Sequence, residues 1–352
     1  MRFNKAKALL VKAIEVGDIP GAVAIAGDAY EVELIGATGV TSYVTETQVT
    51  ADSYYDLASL TKVIATLPAV LQLIDAGALN LDDYLLDYFP NAGWFQEPSL
   101  AYVTVRELLS HSSGLEAWRP LFALSNVKEV IYANVLQSSL GEKVYRYSDL
   151  GFILLGMLLE RIHGQDLREI SQKVFGPLGL KRLKYGPLDP MQDSIAATED
   201  CGWRMKMCEG IVHDENAYAL GGAAGHAGLF GIAEDVARYA QAWLKLDEVL
   251  ASRILLKEAQ REQCRGDDGV RRGLGWQLGW GSTPLTSPGT FGHTGFSGTS
   301  LWIDPEQGWF AVLLTNRIHP NRRFGSNIQR LRSDFHEAIA QSFIQKASKA
   351  ST

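Results

Sequence analysis

Apolar and polar positions along this chain change period several times, and each change marks an element. The opening segment, "MRFNKAKALLVKAIEVGDIPG" (1–21), carries an apolar stripe at helical spacing and predicts an amphipathic helix ending at Gly17. "GAVAIAGDAYEVELIGATG" (21–39) follows with two short apolar runs around Gly27-Asp28, the pattern of a β-hairpin. "SLTKVIATLPAVLQLIDAG" (59–77) predicts a helix from about Ser59 to Asp75 with Gly77 as its C-cap. Pro68 lies inside that helix, where it kinks the axis or leaves one backbone carbonyl unpaired. From about 79 to 264 the texture is mainly helical. "TVRELLSHSSG" (104–114) opens on a Thr104–Glu107 capping box and closes on Gly114, and "YSDLGFILLGMLLERIHG" (147–164) sets Leu150, Leu154, Met157, Leu158 and Ile162 on one face.

Near 265 the pattern becomes strand-like. "GLGWQLGW" (273–280), "FGHTGFSGTSLWID" (291–304) and "GWFAVLLTN" (308–316) are rich in aromatic and branched residues, and the Asp304–Gly308 segment joins the last two as a hairpin turn. "NIQRLRSDFHEAIAQSFIQ" (327–345) reads as a closing helix. The expected architecture is therefore α+β: an antiparallel sheet built from both chain ends, flanked by terminal helices, with an inserted mainly helical domain. Residues 1–78 and 265–352 form the discontinuous sheet domain and 79–264 the insert, with the active site at their interface.

Composition narrows the function. The chain has 352 residues, 46% hydrophobic and 21% charged, as ordinary globular proteins do. A net charge of −7 argues against nucleic acid or an anionic membrane as partner. The basic pairs Arg271-Arg272 and Arg322-Arg323 are too short to reverse that. The four-residue apolar run before Lys12 is too short for a signal peptide, and no stretch reaches membrane-spanning length. Cys201, Cys208 and Cys264 form no CxxC pair and sit beside no histidine cluster at zinc spacing, so reduced thiols and a soluble, cytoplasmic protein are expected.

Three polar clusters could carry chemistry. Ser59 and Lys62 form an S-x-x-K, whose i, i+3 spacing brings hydroxyl and amine onto one helix face. A serine hydroxyl needs a base, a buried lysine can supply one, and a helix N-terminus favours an oxyanion. Tyr147-Ser148-Asp149 opens a second buried helix, and the phenol can exchange protons if a cation lowers its pKa. His293-Thr294-Gly295 lies on a late strand, where Gly292 and Gly295 leave room for a ligand against the backbone. Taken singly, each has an ordinary reading: a solvated first turn, an interfacial hydroxyl, a loop histidine. His226, in the Gly-rich 221–231 loop, fits contact with substrate or loop support, and His111 fits a structural role at a helix end. "GFSGT" around Ser297 does not satisfy G-x-S-x-G.

In this order the three clusters resemble the serine β-lactamase superfamily, in particular its class C β-lactamase-like branch of D,D-peptidases and esterases. "LNLDDYLLDYFP" (79–90), "VTVRELLSHSSGL" (103–115), "AGHAGLFGIAEDVARY" (224–239) and "HTGFSGTSLWIDP" (293–305) extend the resemblance from about Gly21 to Asn316. It implies a β-lactamase/transpeptidase-like fold with Ser59 as acyl-forming nucleophile and Lys62 as its proton acceptor or the charge that tunes it. Tyr147 would share acid–base work, the amides of Ser59 and Phe296 would form the oxyanion hole, and no metal or cofactor would be needed. His293 would stand where the family usually has lysine, next to Gly295, and Asp149 where it has an amide. Both departures count against efficient β-lactam hydrolysis. A histidine at 293 titrates near neutrality, and an ionised Asp149 cannot donate a hydrogen bond but can hold Lys62 protonated. A serine hydrolase acting on small carboxylic esters or D-amino-acid amides is expected. The alternatives are a muropeptide-recycling D,D-peptidase, a weak β-lactamase, or a catalytically idle protein used in assembly or sensing.

Overall fold

A computed structural model of the chain describes residues 2–90, 98–279, 285–323 and 327–350. Among these, eight strands form an antiparallel sheet in the order Val32–Gly39, Gly21–Gly27, Trp309–Thr315, Ser300–Asp304, Phe291–Thr294, Gln277–Leu278, Arg271–Arg272, Cys264–Arg265. The two chain ends meet at its second and third strands, where Ala22 pairs with Thr315 and Gly27 with Phe310.

Both faces of this sheet are covered, which is why its central strands read as continuous apolar runs. Ala22, Ala24 and Ala26 share one face with Trp309, Ala311 and Leu313, packed under the first helix, Asn4–Glu15, and the last, Ile328–Ala350. The alternate set, Val23, Ile25, Phe310, Val312 and Leu314, joins the main core with the helices from the middle of the chain.

The helix Asp149–His163 runs through that core. Ser148 caps its start by accepting from the Gly151 amide (3.3 Å), and Gly164 ends it in the left-handed conformation. Leu150, Leu154 and Leu158 are fully buried, whereas Met157 and Ile162 sit at the edge. The Thr104–Glu107 capping box forms, but its helix covers only Val105–Leu109 and stops well before Gly114, because His111 turns the chain with φ 59°. Three further expectations need correction. A second sheet, Tyr55–Asp56, Leu229–Gly231 and Lys184–Tyr185, gives strand structure to part of the segment read as a Gly-rich loop. Only Gln277–Leu278 of "GLGWQLGW" is strand, and Trp280 lies outside the described residues. The 291–304 run is two strands joined by a turn at 295–299.

The helix after Ser59 is not uniform. Residues Lys62–Thr66 form a π-turn, with the Leu67 amide bonded to the Lys62 carbonyl, before α-helix resumes over Leu67–Asp75. In that wider register the amide missing at Pro68 would have met the Val63 carbonyl, and the Tyr239 hydroxyl donates to that carbonyl instead. Pro68 therefore neither breaks the helix nor leaves a buried acceptor unmet.

Candidate active site

Ser59 precedes this helix by one residue, on a turn fixed by Asp56. The buried Asp56 carboxylate accepts from the amides of Ala58 (2.8 Å) and His213 (2.7 Å), and Ala58 is held at φ 48°. The Ser297 hydroxyl donates to the Asp56 carbonyl (2.7 Å) and the Thr299 hydroxyl to the Leu57 carbonyl (3.1 Å), tying the turn after strand Phe291–Thr294 to the serine. Gly295 makes this approach possible. A Cβ there would stand 2.1 Å from Thr299 Oγ1 and 2.7 Å from the Leu57 carbonyl. The room expected for a ligand at Gly292 and Gly295 is thus taken by protein: Trp302 and the Leu301 carbonyl crowd Gly292 in the same way.

Lys62 is fully buried. Its Nζ donates to Ser59 Oγ (3.0 Å) and to the His226 carbonyl (3.0 Å), and lies 2.6 Å from Asp149 Oδ1. Burial by itself pushes the ammonium pKa down, but the Asp149 charge, with Tyr147 adding to it, holds it above the ordinary value. Lys62 is a cation at neutral pH. Tyr147 is held as a neutral phenol, since burial outweighs the lowering influence of Lys62 and of hydrogen bonds to Ser59 and Lys62. The Lys62 ammonium lies 5.1 Å from the centre of its ring.

His111 packs on the other side of Tyr147, with ring centres 4.5 Å apart, and its Nδ1 accepts from the Ser148 amide (3.0 Å). It lies two residues past the end of the helix Val105–Leu109 and braces the tyrosine ring. His293 stacks at 5.8 Å from Tyr147 and donates from Nδ1 to the Thr294 carbonyl (2.8 Å). Burial first, then the charges of Arg272 and Lys62, push its pKa well below 6.5. The histidine expected to titrate near neutrality is held neutral, with Nε2 buried and unpartnered. Phe296 lies face to face with His213 (5.7 Å). Among the described residues, neither the Ser59 nor the Phe296 amide has a hydrogen-bond partner.

All seven residues singled out in the sequence therefore converge. Ser59, Tyr147 and Phe296 form a partition between two small cavities, of about 300 and 260 Å³. The first also takes in His293 and Gly295, the second Asp149, while Lys62 lies behind the serine. Residues not foreseen complete the walls. Arg272 reaches the first cavity and donates to the Tyr145 hydroxyl (2.8 and 3.1 Å). In the second, Trp118 joins Asp214, which pairs with His226 Nε2 (2.7 Å), and Glu215, which pairs with Arg322. Arg322 also binds Glu199, whose other partner is His213, and these contacts hold the Glu199 carboxyl far below its usual range against the cost of burial. Arg272 and Arg322 belong to the two basic pairs noted in the sequence, but linear spacing carried no sign that they face one serine. Among the described residues no group of three or more His, Cys, Asp or Glu could hold a metal ion, and no helix is long and apolar enough to cross a membrane.

Comparison with known proteins shows the family. Residues 7–334 match the family described as Beta-lactamase. A putative D-alanyl-D-alanine carboxypeptidase of Escherichia coli K12 is 32% identical over 311 residues, covering 77% of this chain and 70% of the relative. Among solved structures, EstCE1, a hydrolase with promiscuous acyltransferase activity, superposes with a TM-score of 0.74 at 22% identity, covering 96% of this chain and 97% of the other. The D-amino acid amidase of Ochrobactrum anthropi, in complex with L-phenylalanine amide, gives 0.75 at 19% identity, covering 96% and 98%. Both solved structures share the fold of this chain. The chain belongs to the Beta-lactamase family.

Proposed function

We propose that Ser59 is the acylated residue and that the enzyme hydrolyses small carboxylic esters or D-amino-acid amides. The observation that carries this reading is the chain Ser59–Lys62–Asp149, with contacts of 3.0 and 2.6 Å. Because Asp149 keeps Lys62 charged, Lys62 acts as the fixed cation and Tyr147 as the proton relay. The phenol oxygen accepts the Ser59 proton as the phenol gives its own to the leaving group, and the adjacent ammonium stabilises charge that develops on the ring oxygen. The unpartnered amides of Ser59 and Phe296 are placed as oxyanion donors. Neutral His293 offers Nε2 as an acceptor to the substrate. Segments 1–78 and 265–352 act as one α/β domain and 79–264 as a helical insert, with the site between them. Three unpaired cysteines fit a cytoplasmic location.

A second reading, a D,D-peptidase, is favoured by the 32% identity to the putative carboxypeptidase. Fluorophosphonate labelling with intact-mass analysis, beside p-nitrophenyl ester hydrolysis, tests the assignment. Wild type is expected to gain one adduct and Ser59→Ala none, with a fall in turnover on the order of 10⁴-fold or more. Identical behaviour of the two proteins would leave a catalytically idle assembly or sensing role.

A further inference from the structure

Once Ser59 carries an acyl group, a water molecule must lose a proton to release it. Acylation returns Tyr147 to its phenol, and Asp149 keeps Lys62 an ammonium, so neither is a free base for that water. The carboxylates of the second cavity are committed as well, Asp149 to Lys62 and Glu215 to Arg322.

His226 borders the same cavity as Ser59, Tyr147 and Asp149, and is 1% exposed. Its Nε2 lies 2.7 Å from Asp214 Oδ1, while its Nδ1 is buried with no hydrogen-bond partner among the described residues. A ring that gives its Nε2–H to a carboxylate carries, when neutral, its lone pair on Nδ1. Asp214 is itself fixed, since Oδ1 also accepts from the Ala217 amide (2.7 Å) at the start of the helix Glu215–Ala219. The backbone beneath the ring is held equally firmly. The His226 carbonyl accepts from Lys62 Nζ (3.0 Å), and the Thr66 hydroxyl donates to the Gly225 carbonyl (2.6 Å). A Cβ at Gly225 would stand 2.1 Å from the Phe152 carbonyl, so this segment lies directly against the helix Asp149–His163. The cavity, of about 260 Å³, has room for a small acyl group together with a water, which takes about 30 Å³.

Resting on the assignment of Ser59 as the acylated residue, we propose that His226 is the base of deacylation, with Asp214 holding its ring so that Nδ1 stays free. Water in the cavity gives a proton to Nδ1 as its oxygen bonds to the acyl carbon. The tetrahedral intermediate then breaks its bond to Ser59 Oγ, which takes the phenol proton of Tyr147. The imidazolium returns the water's proton to Tyr147 through solvent in the cavity that both residues border, and the carboxylic acid leaves. The alternative is water entering from the leaving-group side, with the Tyr147 relay run in reverse and His226 serving only to hold Lys62.

The test compares p-nitrophenyl acetate hydrolysis by wild type and His226→Gln, a variant that keeps a donor for Asp214 but no basic nitrogen. Because kcat/KM reports acylation and kcat also contains release, kcat/KM is expected to stay within about threefold of wild type while kcat falls at least about a hundredfold. Intact mass after quenching is then expected to show about one acetyl adduct per chain. Added imidazole is expected to raise the kcat of His226→Ala at least about tenfold, which loss of the fold would not allow. An equal fall of kcat and kcat/KM without an adduct assigns His226 to holding Lys62 and overturns the proposal. Turnover that depends on Ser59 but is unchanged in His226→Gln removes this proposal alone. Turnover that Ser59→Ala leaves unchanged removes the assignment of Ser59 and this proposal together.

Discussion

A fully buried lysine keeps its proton only if a negative charge offsets the loss of water, and Asp149 is that charge at Lys62. Asp149→Asn removes it and leaves burial to act alone. The alkaline limb of the kcat/KM profile is then expected to move to lower pH, with at least about a tenfold loss of kcat at neutral pH. An unmoved limb would show that Lys62 does not set it. His293 lies on the same cation-rich side of Tyr147 and is expected to remain neutral through pH 6. Nitrogen-15 chemical shifts of labelled histidines report this directly, and a His293 titration near 6.5 would contradict it.

The helix that begins at Leu60 shows how an element absorbs a residue it should not tolerate. A wider turn over Lys62–Thr66 precedes Pro68, and Tyr239, from a distant helix, completes the Val63 carbonyl. Tyr239→Phe is expected to cost about 1–3 kcal/mol in urea unfolding, because that carbonyl is left buried and unmet. With Pro68→Ala in place an amide becomes available nearby, so the double mutant should lose less than the sum of the single losses. Gly295 is the corresponding constraint on the sheet side. Gly295→Ala must push the 295–299 turn away from Leu57, and the expected result is loss of esterase turnover together with about 1–3 kcal/mol of stability. Retained turnover in this variant would show that the approach of the two segments is not needed for catalysis.

At the scale of the molecule, the sheet separates two apolar cores, and several histidines are buried in neutral form. His336, between the sheet and the last helix, is pulled down to about 3, by burial first and then by Arg332. Its ordinary value is 6.5, so the unfolded chain binds the proton more readily and stability present above 6.5 is lost as pH falls toward 3. At pH 5 this histidine alone accounts for about 2 kcal/mol. Urea midpoints at pH 7 and pH 5 check this, with His336→Gln expected to lose less on acidification than wild type.

Local patterns were sufficient for much of this protein. Short apolar runs marked the hairpin and the strands near the chain end, period-3.6 burial marked the long helices, and i, i+3 spacing placed Lys62 against Ser59. Three short motifs named the residues that converge there. What no local pattern contained were the two- and three-residue strands of the small sheet, too short to show a period, and the π-turn, whose Val63 carbonyl is met by Tyr239 from 176 positions away. The same holds for Arg272 and Arg322, which are ordinary basic residues in sequence. Their charge gains meaning only where folding sets them in the two cavities beside one serine. The sequence by itself determined which groups can react; the tertiary structure decided which of them are charged, because the Asp149 carboxylate 2.6 Å away fixes the proton on Lys62, while burial and the charges of Arg272 and Lys62 keep it off His293.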